Sequence, residues 1–164
     1  MRPLLITILA LATTASAQTP FAALHQLIGD WDAHFPSGSV VHVNNRVISS
    51  DSAIVESYSI IGDKRPNADT LTIYHPDGAD LIATHYCGQG NQPRLRLDPA
   101  STPTDLRFTF KDATNLASPA ASHLTRLRIQ IIDANHYDKT ETYTENGKDD
   151  TTVYHFVRLP AKPN

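Results

Sequence analysis

From Trp31 onward, apolar and polar residues alternate along the chain with a period of two, which predicts strands and not helices. Trp31, Ala33 and Phe35 share one face of the first strand, and Asp30, Asp32 and His34 share the other. Val41, Val43, Asn45 and Val47 repeat the pattern, as do the residues around Ile54 to Ile60. The one helical signal comes earlier. Thr19 suits the N-cap and Pro20 the first helical position, where a missing N–H costs nothing. Phe21, Leu24, Leu27 and Ile28 then fall on one face, and Gly29 supplies a stop.

The connections carry turn chemistry. His75-Pro76-Asp77-Gly78 reads as a tight hairpin, and Asn146-Gly147 joins Tyr137–Glu145 to Lys148–Leu159. Residues 63–69, 88–93, 99–105 and 112–122 are polar or rich in Pro and Gly. Nine or ten strands joined locally after one short helix predict an all-β fold, a single antiparallel up-and-down barrel. A two-sheet sandwich is the competing arrangement.

The first segment stands apart from this pattern. Met1-Arg2 brings one positive charge, Leu4 to Ala12 is an apolar run broken by Thr7, and Ala15-Ser16-Ala17 offers small residues at a cleavage site. Residues 1–17 therefore read as a signal peptide, residues 18–159 as the barrel domain and 160–164 as a flexible tail. That implies an extracytoplasmic protein, periplasmic or secreted. The apolar run is about half of the ~20 residues a membrane span requires, so no span is expected after cleavage. Cys87 is the only cysteine, which excludes an internal disulfide. The formal net charge is −3 and no basic run occurs, so nucleic acid is not an expected partner; nothing points to a protein partner.

Two groups of residues resemble known proteins. Gly29-Asp30-Trp31 is a Gly-x-Trp between the helix and the first strand, and Arg158 lies near the end of the last strand. This arrangement resembles the calycins, the superfamily of lipocalins and fatty-acid-binding proteins. The resemblance implies that Trp31 plugs the closed end and Arg158 packs across its ring, with Gly29 completing the closure. The segment Thr84-His85-Tyr86-Cys87-Gly88-Gln89-Gly90-Asn91-Gln92-Pro93-Arg94, followed by Asp112 to Leu116 and His123, resembles a bacterial family of uncharacterised exported lipocalin-like domains. That likeness implies a fold and a location but no activity.

With Pro76-Asp77-Gly78 as the turn, Leu71, Ile73, His75, Leu81, Ala83, His85 and Cys87 share the more apolar face, which is expected to point into the barrel. His85 and Cys87 then lie about 6.5–7 Å apart on one side of a strand. His123 matches the parity of Leu127, Ile129 and Ile131, so a thiolate and two imidazoles could meet on zinc or copper. The same residues also fit a packed interior, with Cys87 a small buried hydrophobe and His85 a hydrogen-bonded core histidine. Asn91, Gln92 and Arg94 could close the mouth on a polar or acidic head group, or could instead satisfy backbone carbonyls of a glycine-rich corner.

The last hairpin couples to the plug. If Arg158 is inward, then so are Phe156, Tyr154 and Thr152, and across the pair Tyr137, Lys139, Glu141 and Tyr143. Interior charges must be paired or wet, which implies a polar cavity; an outward twist of these strands is the alternative. His25, His34, His42, His136 and His155 read as surface or packing residues. The expected function is binding of a small, partly polar ligand through His75, His85, Cys87, Asn91, Gln92, Arg94, His123, Glu141, Tyr143 and Tyr154. No residue is assigned a catalytic role, and no cofactor is expected. One alternative is a barrel that holds haem or a transition metal, including a nitrobindin-like enzyme related to the fatty-acid-binding group; another is a filled barrel that acts as a structural or interaction domain.

Overall fold

A computed structural model describes residues 19–65 and 68–161 of the chain. The signal-peptide reading of residues 1–17 and the last three tail residues lie outside the described residues. Ten antiparallel strands close into one barrel in the circular order β1-β10-β9-β8-β7-β6-β5-β4-β3-β2. They are β1 (Gly29–His34), β2 (Val40–Ile48), β3 (Ala53–Ile60), β4 (Thr70–Asp77), β5 (Asp80–Tyr86), β6 (Gln92–Leu97), β7 (Asp105–Thr114), β8 (His123–Asp133), β9 (His136–Glu145) and β10 (Lys148–Arg158). Each strand pairs with its neighbour in sequence, and only the β1–β10 seam joins distant parts of the chain. Among the described residues no helix is long and apolar enough to cross a membrane.

Helix α1 (Pro20–Leu24) begins where its chemistry allows. The Thr19 hydroxyl accepts a hydrogen bond from the Ala22 amide at 3.2 Å, satisfying one of the free amides of the first turn. The chain then tightens into a single 3-10 turn over His25–Leu27. This short element lays Ala23, Leu24 and Leu27 against the bottom of the barrel, where all three are buried. Gly29 follows with φ of +122°, a backbone conformation that any Cβ would strain.

The plug forms as expected. Trp31 is wholly buried, and its indole N–H donates to the Leu27 carbonyl at 2.7 Å. The Arg158 guanidinium carbon lies 4.0 Å from the centre of the Trp31 ring. Above the plug an aromatic ladder fills the lower lumen. Tyr137 meets Trp31 edge-on at 4.7 Å and stacks on Phe156 at 4.8 Å, which in turn stacks on Tyr154 at 5.9 Å. Tyr74, Phe108, Leu106, Leu127 and Ile129 close the same volume from the far wall.

Two turns decide which residues face inward. At Asn146-Gly147 both central residues have positive φ, the two-residue geometry that matches strand twist, so Glu145 pairs with Lys148. The hairpin between β4 and β5 departs from expectation. Asp77 pairs with Asp80, so Gly78 and Ala79 make the turn and Pro76 remains in the strand. The one-residue slip reverses β4. Thr72 and Tyr74 are buried inside, whereas Leu71, Ile73 and His75 lie on the outer face. The inward reading of β5 holds for Leu81, Ala83 and His85.

Candidate functional site

The inward positions of β9 alternate Tyr137, Lys139, Glu141 and Tyr143, and those of β10 continue with Phe156, Tyr154 and Thr152. Lys139 is 1 % exposed, so its charge must be matched by groups within the barrel. It is matched twice. Its ammonium donates to Glu141 Oε1 at 2.7 Å and, closer still, to Glu56 Oε1. Tyr74 donates its phenolic O–H to the other Glu56 oxygen at 3.3 Å. Burial opposes the charge on Lys139, but the attraction of Glu141 and then Glu56 prevails and holds its pKa well above the usual lysine value. Burial likewise opposes the charge on Glu141, yet Lys139, and after it His85, pull its pKa below the ordinary glutamate value. Glu56 escaped the sequence reading. Its only signal is its parity with Ile54 and Ile60 on a strand whose inner face is otherwise apolar.

A second polar chain lies above this triad. His85 is 3 % exposed, with Nδ1 3.0 Å from Thr72 Oγ1 and Nε2 3.0 Å from the Tyr143 hydroxyl. Cys87 Sγ reaches the same hydroxyl at 3.9 Å. His85 and Cys87 thus converge as their spacing implied, but on a phenol supplied by the facing wall. Burial pushes the His85 pKa down to about 4, so the ring is neutral near pH 7. One donor order links the chain: the thiol, which also lies 3.4 Å from Gln89 Oε1, donates to Tyr143, Tyr143 donates to His85 Nε2, and the Nδ1–H donates to Thr72. Both ring nitrogens of His85 are therefore occupied. A metal or haem iron would have to displace one of these partners.

The other predicted site residues disperse. His75 sits on the outer face, its Nδ1 3.1 Å from the Pro76 carbonyl oxygen, because the β4 slip turned it outward. His123 pairs with Thr144, since a bulge between Leu124 and Arg126 shifts the parity of β8 and puts Leu124 inside instead. Its ring packs against Phe110 at 4.8 Å, with Nδ1 2.7 Å from the Ala121 carbonyl oxygen. His123 therefore stands apart from the His85–Cys87 pair. Among the described residues no group of three or more His, Cys, Asp and Glu side chains is arranged to hold a metal ion. Arg94 lies outside, forked onto Asp112 of the adjoining strand at 2.5 and 2.7 Å. Gln92 bonds to the Gly90 carbonyl and to Thr114, and Asn91 donates to the Ser122 carbonyl at 2.9 Å. This corner fastens the β5–β6 loop to the loop before β8, which is the structural of its two readings.

The barrel opens at the end opposite Trp31. A cavity of about 940 Å³ occupies the mouth, with Tyr58, Tyr143, Cys87 and Thr152 at its inner side and Gln89, Ser122, Arg65 and Asp150 among its outer lining. Glu56, Lys139, His85 and Tyr154 do not reach it, so the lower lumen is filled and the upper part is hollow. The wall beside the cavity is incomplete. The β1–β10 seam holds three residue pairs, from Trp31↔Arg158 to Ala33↔Phe156, whereas the β9–β10 ladder runs from Lys148↔Glu145 to Val157↔His136. Above Phe156, β10 has no ladder partner on its second side among the described residues. The rings of Phe35 and Tyr58 each meet Tyr154 edge-on beside this slot.

The chain is thus an all-β protein, a closed antiparallel barrel plugged at one end and hollow at the other. No protein-family model and no curated protein matches the chain.

Proposed function

We propose that this protein is an exported, lipocalin-like binding protein that holds a small, partly polar molecule in the mouth of its barrel. One observation carries the reading: the cavity of about 940 Å³ stands at the single unplugged end and mixes aromatic, hydroxyl, amide and charged side chains. A volume of this size suits a drug-sized molecule, and pockets of ~300–1,000 Å³ are the usual range for such ligands. The polar floor argues against a fatty acyl chain. A long apolar tail would need the lower lumen, which Tyr74, Tyr137, Lys139 and Phe156 already fill.

Cys87 gives a direct test, because it lines the cavity and is the only thiol. The purified protein is heated with a library of metabolites, and hits are retested for protection of Cys87 against a thiol reagent. Binding in the mouth raises the melting temperature and slows thiol modification together. A library that yields no stabilising molecule, or hits that leave Cys87 equally reactive, would remove this assignment.

A further inference from the structure

If the binding function proposed above holds, the charges that line the cavity bear on which ligand it takes. Three carboxylates, Glu145, Asp149 and Asp150, line the cavity against two cations, Arg65 and Lys148. Two of the five are already engaged. Arg65 is clamped on Asp63, with its Nη2 2.5 Å from Oδ2. Asp149 accepts from Arg126 Nη2 and from the Thr144 hydroxyl. Glu145 and Lys148 are in register across the last hairpin without an ion pair, so their charges balance only in sum. Asp150 is left over. It pairs in register with Tyr143, which puts it on the inward-facing row of β10, and it has no ion-pair partner among the described residues.

A second source of negative potential lies beneath the floor. Lys139 alone answers both Glu56 and Glu141, so the buried triad carries one surplus negative charge when all three are ionised. The phenols between triad and cavity register it. Burial is the chief reason that Tyr58, Tyr143 and Tyr154 hold their protons more tightly than usual, and at each of them the repulsion from Glu141 exceeds the relief from Lys139. His85 adds no compensating charge, since it is neutral near pH 7. Thus one carboxylate more than the cations can balance stands at the rim, Lys148 included, and another below the floor, while the Arg94 guanidinium is spent on Asp112 outside the barrel.

We infer that the mouth cavity is selective for organic cations, molecules with a protonated amine next to a flat or apolar body, and discriminates against carboxylates. The amine would sit near Asp150 and the body against Tyr58 and Tyr143. An aromatic floor favours this further, because a ring face attracts a cation.

The test uses three fluorescent probes that share one ring system: dansylcadaverine (cationic), dansylamide (neutral) and dansylglycine (anionic). Each is titrated into the purified protein at low and high salt, with Cys87 protection recorded in parallel. Dansylcadaverine should bind about tenfold more tightly than dansylglycine at low salt, and the ratio should shrink as salt rises. Asp150→Asn should narrow the ratio and Asp150→Lys should invert it. Asp150 is exposed, so neither variant threatens the fold. If dansylamide and dansylglycine bind as well as dansylcadaverine and protect Cys87, the mouth is a binding site and the charge selectivity is wrong. A ratio indifferent to both Asp150 variants would also overturn it. If none of the probes binds or protects Cys87, and the library finds nothing, the binding function falls as well.

Discussion

Arg158 stacks on Trp31 while it ties down the chain that leads into the first strand. Its guanidinium lies 4.0 Å from the indole centre, and its three nitrogens donate to the carbonyls of Ala134, Ile28 and Gln26. One side chain thus joins the last strand, the loop between β8 and β9 and the helical cap.

Arg158→Ala removes the cation from the ring and leaves three carbonyls without their donor. The expected loss is about 2–4 kcal/mol of stability. Arg158→Lys should recover less than half of it, because an ammonium cannot reproduce the planar fork. Urea titration followed by the fluorescence of Trp31, the only tryptophan, measures both. A loss in Arg158→Ala below about 0.5 kcal/mol would show that the stack is incidental.

Gly29 is confined by the same guanidinium. A Cβ at this position would lie 3.2 Å from Arg158 Nη1, on a backbone with φ of +122°. Gly29→Ala should cost about 1–3 kcal/mol. Its effect should not add to that of Arg158→Ala, since the two share one contact. A double-mutant cycle checks this, and simple additivity would contradict it.

Lys139→Met leaves Glu56 and Glu141 buried beside each other with no cation. The expected cost near pH 7 is about 3–5 kcal/mol. The gap to the wild type should narrow on acidification, because the carboxylates become neutral in the variant. Replacing all three members by Met, Gln and Gln should restore most of the loss. Chemical denaturation at two pH values decides the matter: a gap that stays constant would mean the triad is not charged.

His85 predicts a pH dependence of known sign. The unfolded chain takes up a proton on this ring near pH 6.5, and the folded barrel only near pH 4. Between those values the unfolded state binds a proton that the native state refuses, so stability falls as pH falls. The contribution is complete above the higher value and gone below the lower one. The slope is about 1.4 kcal/mol per pH unit, or about 3 kcal/mol in all. His85→Gln should be less sensitive to pH over this window by that amount, and parallel curves for the two proteins would refute the account.

The sequence made the architecture legible because its signals were local. Thr19-Pro20, Asn146-Gly147 and the alternation along each strand act over a few residues, and helix, hairpin and barrel all follow from them. Trp31 and Arg158 were recognised only as a pair at the two ends of a family-like pattern. The misplacements of His75 and His123 share one cause. Parity is counted from a turn or along an unbroken ladder, so the slip at Gly78-Ala79 misplaced His75, and the bulge near Thr125 misplaced His123. Glu56 was missed for a different reason. Its partner Lys139 is 83 residues away, and nothing near Glu56 in sequence announces that its charge will be matched. The two readings of Arg94 stay open in the sequence because Asp112, which claims it, lies on a neighbouring strand.

The unpaired flank of β10 has a consequence for how the protein behaves at high concentration. Bare strand edges are templates on which another chain can add, and natural sheets guard them with charge. Here the guard is the run Lys148-Asp149-Asp150, which opens the strand just where its neighbour is missing. Aggregation resistance and the polarity of the entrance thus share residues, and apolar substitutions made there to suit a greasier guest would invite strand-by-strand association.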